Sequence, residues 1–182
     1  MKTKSVLDIA QAIHEKLMQV SSIVNDFEQR AYFATGNWIN WLKESEELLI
    51  KFQYGESAQL AGLRATILGE SFPILPTRNR RRQVFSRAIQ TINPAQDILF
   101  GLYKILTEKI EVVRVLIRQI LIPAKEAGFI EYDSSIDFTR YIESLLQQLK
   151  SHEQLKPSIN SAIASIGKID VMRLLAEEIE FG

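Results

Sequence analysis

The chain contains no cysteine, which excludes disulfides, thiolate metal sites and cysteine nucleophiles. It has two histidines, His14 and His152, in separate predicted helices, and neither belongs to a Glu-x-x-His pair. That argues against a carboxylate-bridged di-iron site. The His-Glu-x-x-His pattern for zinc, the Cys-x-x-Cys-His pattern for haem, both glycine-rich nucleotide loops and the Gly-x-Ser-x-Gly elbow are all missing. The expectation is a non-enzymatic protein with no metal, no cofactor and no catalytic residue. His14 lies beside an apolar seam position and reads as a surface side chain. His152 sits at a helix C-terminus, where an imidazole suits the dipole.

Charge of one sign is also lacking: Lys plus Arg number 22 and Asp plus Glu number 22. A neutral chain has no long-range pull on nucleic acid or anionic membrane, so any such binding must rest on a local patch. No run approaches the ~18 apolar residues of a spanning helix. After Met1 the pattern meets Asp8, His14, Glu15 and Lys16 before any uninterrupted apolar signal core forms. The expectation is a cytoplasmic protein without a membrane partner. Alternating strand patterns and Asn-Gly or Asp-Gly hairpin signals are missing too.

What is present is helical. A hydrophobic fraction of 46% supports a sizeable core, and residues 1–182 read as one helical domain. Its long-helix bundle spans about 5–128, with shorter helices at about 134–180 packed on it. The organising stretch is 93–128. Asn93-Pro94 reads as a cap followed by a proline at the first helical position. Leu99, Leu102, Leu106, Ile110, Val113, Leu116 and Ile120 then recur at steps of three and four. At ~1.5 Å per residue this helix reaches roughly 40 Å by Leu121, so other helices must lie along it. Pro123 should kink or close it, and Gly128 suits a left-handed cap.

Upstream, Val6, Ala10, Ile13, Leu17, Val20, Val24, Phe27 and Ala31 form a heptad-like seam on a helix expected over 5–33. It either faces neighbours in its own chain or pairs two chains. Thr35-Gly36-Asn37 reads as a break, and Trp38, Trp41, Leu42, Leu48, Leu49 and Phe52 as the core face of the next helix. Ala58, Gly62, Ala65 and Gly69 make a small-residue stripe, expected to pack tightly inside the bundle. Phe72, Ile74 and Leu75, between Pro73 and Pro76, are expected to fold over a bundle end. Val84, Phe85, Ala88, Ile89 and Ile92 mark a short separate helix before Asn93.

After Gly128, Ser134 with Asp137 resembles a capping box for a helix carrying Phe138, Ile142, Leu145 and Leu149. Lys156-Pro157 and Gly167 delimit a short helix, and Asp170 is expected to cap the last one. Glu177, Glu178 and Glu180 read as a solvated tail or a docking site for a basic partner. In all, the chain is about four-fifths helix, well above the ~one-third usual in soluble domains. The expected class is all-α, a bundle of long antiparallel helices followed by shorter ones.

One charged feature stands out. Arg78, Arg80, Arg81 and Arg82, with Arg87 beyond, crowd a helix start. Positive charge there opposes the dipole, so these arginines call for an anion. It is either a carboxylate of the bundle itself or an external phosphate, nucleic acid or acidic protein. The leading functional expectation is a protein-interaction or self-association module, with nucleic-acid or phosphate binding at the arginine cluster as the alternative.

Overall fold

A computed structural model describes residues 5–69, 77–130 and 136–180, and among them has seven helices and no strand. These are α1 (Val6–Glu28), α2 (Ala34–Phe52), α3 (Ser57–Leu68), α4 (Thr77–Glu126), α5 (Phe138–Ser151), α6 (Lys156–Ile166) and α7 (Lys168–Glu180). The chain is the expected all-α bundle of long antiparallel helices followed by shorter ones. The Phe72, Ile74 and Leu75 segment, Ser134 and the side chains of Arg78 and Glu180 lie outside the described residues.

Two compact units divide the chain, Ile9–Lys104 and Met1–Asp8 with Ile105–Gly182. In the first, α1 runs antiparallel to α4. The His14 ring stacks on Tyr103 at 5.6 Å, and Phe27 meets Phe85 at 5.2 Å. Trp38 ties α2 into the same core: it is fully buried, stacks on Trp41 at 4.6 Å, and donates from Nε1 to Thr91 Oγ1 at 2.8 Å. Trp41 Nε1 donates to the Lys16 carbonyl at 3.0 Å, and Lys16 pairs with Glu44. Helix α3 packs on α2 through Leu60 and Ile67, with Arg64 on Glu46 at 2.9 Å.

In the second unit, α5, α6 and α7 pack on one another through Ile142, Leu145, Leu149, Ile159, Ile166, Val171 and Leu174. Arg114 bridges Glu177 and Glu178, each at 2.9 Å, and Arg118 meets Glu178 at 2.6 Å. The expected solvated tail is therefore corrected: Glu177 and Glu178 are held by α4. Hydrogen bonds from Arg118 and Arg114, against the opposing effect of burial, hold the Glu178 carboxyl below the usual carboxylate range. Its contribution to stability is full above that range and is lost as pH falls through the depressed value.

Several boundaries differ from the sequence reading. Helix α4 is one helix of 50 residues, uninterrupted at Asn93-Pro94. Pro94 stands on the exposed face with Gln90 exposed one turn earlier, so water can take the carbonyl that the proline leaves without a donor. The buried row Ala88, Ile92, Ala95 and Leu99 passes unbroken beneath it. Pro123 is likewise exposed, and α4 ends beyond it in a Schellman cap, with Gly128 at φ 73° and Phe129 N–H donating to the Ala124 carbonyl. Helix α1 stops at Glu28 and not near Phe33. Its cap has the same geometry, but Arg30 (φ 52°) holds the left-handed position where glycine would have signalled the end. Gly36 sits inside the first turn of α2. The small-residue stripe is also corrected: Ala58, Gly62, Ala65 and Gly69 are exposed, and a Cβ at Gly62 would meet nothing within 4 Å.

Asp170 caps a helix, but not its own. Buried in α7, its carboxylate accepts from the Ser5 hydroxyl at 2.6 Å and from the backbone N–H of Val6 and Leu7. Those are among the first donors of α1, which have no partner within that helix. Asp170→Ala would leave them unmatched beside apolar packing. It is expected to lower stability by ~1–3 kcal/mol in thermal melts, with Asp170→Asn intermediate.

Candidate functional site

The turn between α1 and α2 and the second turn of α4 meet in the unit Ile9–Lys104. Two features fix the junction. The left-handed Arg30 turns the chain, and Phe85, against Phe27, sets the start of α4 on the end of α1. The turn presents Tyr32 and Phe33 outward, 84% and 57% exposed. Arg81 lies over the Tyr32 ring, 5.0 Å from its centroid, and donates to the Tyr32 hydroxyl at 3.0 Å. An aromatic face suits a guanidinium, whose five N–H donors outnumber its one bond to the Tyr32 hydroxyl.

Around this pair is a broad cleft of about 1160 Å³, lined by Arg30, Tyr32, Phe33, Asn37, Asn40, Arg80, Arg81, Arg82, Val84 and Phe85 among others. The lining combines four guanidinium groups, two exposed rings and two side-chain amides. That mixture can hold a carboxylate or phosphate bidentately while covering apolar stems. A shallower hollow adjoins it, sharing Asn37 and Asn40 and walled on its far side by Asp26 and Glu44. The Asp26 carboxylate accepts from the Asn37 amide at 3.2 Å.

Of the five arginines singled out in the sequence, Arg80, Arg81 and Arg82 line the cleft. Arg87 does not; its guanidinium donates to the Gly69 carbonyl at 3.2 Å. The Arg78 side chain is outside the described residues. Arg30, Tyr32 and Phe33 were missed by sequence reasoning. They lie about fifty positions upstream, and only the antiparallel pairing of α1 with α4 brings them to the cluster. His14 is exposed beside Tyr103, and His152 is the C-cap of α5, edge-on to Phe129 at 5.7 Å. Among the described residues no three His, Cys, Asp or Glu side chains group as metal ligands, and no helix is long and apolar enough to cross a membrane. The chain matches no protein-family model, no curated protein and no solved structure.

Proposed function

We propose that this chain is a non-enzymatic, cytoplasmic interaction module that binds an acidic segment of a partner protein in the Arg80–Arg82 cleft. The observation that carries this reading is the convergence of Arg30, Arg80, Arg81 and Arg82 with the exposed Tyr32 and Phe33. Arginine and tyrosine are the side chains enriched where proteins bind one another. The extent of the positive patch favours a short acidic segment over a nucleic acid. Asp26 and Glu44 wall the adjoining hollow, so on that side carboxylates interrupt the basic surface that a long phosphate backbone would follow, and the neutral chain adds no long-range attraction. A second reading, nucleic-acid or phosphate binding, draws on Tyr32, whose exposed ring beside arginines could stack a base.

Titration of the intact chain at two salt concentrations separates the two. A Glu-rich peptide, single-stranded and duplex DNA and RNA, and inorganic phosphate serve as ligands. The peptide is expected to bind at low salt. The change Arg80→Gln, Arg81→Gln, Arg82→Gln should weaken it about tenfold or more, ~1.4 kcal/mol at least. The melting temperature should barely move, because these side chains are exposed. Tighter binding of a single strand than of the peptide would favour the second reading. A large fall in stability with no ligand found would instead make the arginines internal ion-pair partners.

A further inference from the structure

We propose that a second copy of this chain docks on the outward face of α4 over residues 105–122, as an antiparallel helix pair. This surface shares no residue with the arginine cleft and goes beyond the binding reading above. From Ile105 to Ala124, α4 is apolar on two faces. One is the buried row of Leu106, Ile110, Val113, Ile117, Ile120 and Ala124. The other is Ile105, Val112, Val115 and Ile122, each between 43% and 70% exposed. A helix with one core face carries polar residues opposite; apolar residues on both sides mark a helix covered on both sides. Glu108 and Gln119 complete the second stripe, whose steps of three and four are those of a coiled-coil seam.

The stripe is its own complement. Ile105 and Ile122, Val112 and Val115, and Glu108 and Gln119 are pairs equidistant from the midpoint between Val113 and Arg114. A two-fold axis there lays each apolar residue of one copy on an apolar residue of the other, the defining property of an isologous interface. Charge selects the same arrangement. A parallel, in-register pair would set Glu108 against Glu108, whereas the antiparallel pair sets it against Gln119, whose amide can donate to the carboxylate. On one flank of the seam, Glu111 of each copy comes beside Arg118 of the other; both side chains are more than half exposed, and Arg118, which binds Glu178 in its own chain, would bridge the two carboxylates. Lys104 and Lys125 face each other only at the solvated ends, where screening is strongest. Four side chains per copy make a small seam, so the association is a reversible one.

Sedimentation velocity of the intact chain over a hundredfold concentration range tests this. The expected result is a dimer fraction that rises with concentration, and Val112→Asp should abolish it with helicity and melting temperature unchanged. Because the chain has no cysteine, Ile105→Cys and Ile122→Cys, each exposed and about 25 Å along the seam from its own symmetry copy, report orientation. Under oxidation each variant alone should stay monomeric on gels and the mixture should cross-link. A wild-type monomer at every concentration overturns the proposal, as does a dimer that Val112→Asp leaves intact. Cross-linking of each variant alone overturns the antiparallel arrangement.

Discussion

Trp38→Ala is expected to remove about 3–5 kcal/mol of folding stability, much of what a chain of this size possesses. Trp38 is fully buried, so its loss opens a cavity among α1, α2 and the first half of α4. Trp41 loses its stacking partner at 4.6 Å. The Thr91 hydroxyl, buried and donating to the Ala88 carbonyl, loses the donor that satisfies its own oxygen. Trp38→Phe keeps most of the volume and forfeits the hydrogen bond, so its cost should fall to about 1–2 kcal/mol. Urea unfolding followed by circular dichroism measures both. Similar costs for the two variants would mean that packing around Trp38 contributes little.

The second large effect is Val20→Asp. Val20 is buried in α1 within its own chain, as are the seam positions Ala10, Ile13 and Phe27, while Val6, Leu17 and Val24 are half-buried. A carboxylate in place of Val20 has no partner and must be desolvated, at a cost of about 3–5 kcal/mol or more. The expected outcome is an unfolded or marginally folded chain by circular dichroism at any concentration. A folded monomer would contradict it. The contrast with Val112→Asp is instructive, because both valines stand on heptad-spaced stripes, and only burial, which no spacing reveals, separates a core position from a surface one.

The heptad steps of α4, the two tryptophans and the final short helices were legible because they depend on local periodicity, which the 3.6-residue repeat writes directly into the chain. The errors share a different origin. The end of α1 was hidden because Arg30 and not glycine takes the left-handed position. Pro94 read as a helix start because its tolerance depends on which face it occupies. Asp170 looked like a local cap, and Glu177 and Glu178 like a tail, because their partners lie some sixty to one hundred and sixty positions away. The arginine cluster was visible as charge, but the Tyr32 ring beneath Arg81 was not, since no pattern within the cluster specifies what a distant turn will bring to it.

Hydrogen–deuterium exchange of the intact chain, with and without a saturating Glu-rich peptide, tests the binding reading most directly. Bound peptide should slow exchange at the α1–α2 turn and the start of α2, residues 29–40, and at 80–87, where the cleft lining lies. Residues 138–180 should exchange as before, and the triple arginine-to-glutamine variant should show less slowing at the same peptide concentration. Unchanged exchange at 29–40 and 80–87 with peptide demonstrably bound would contradict the assignment of this cleft.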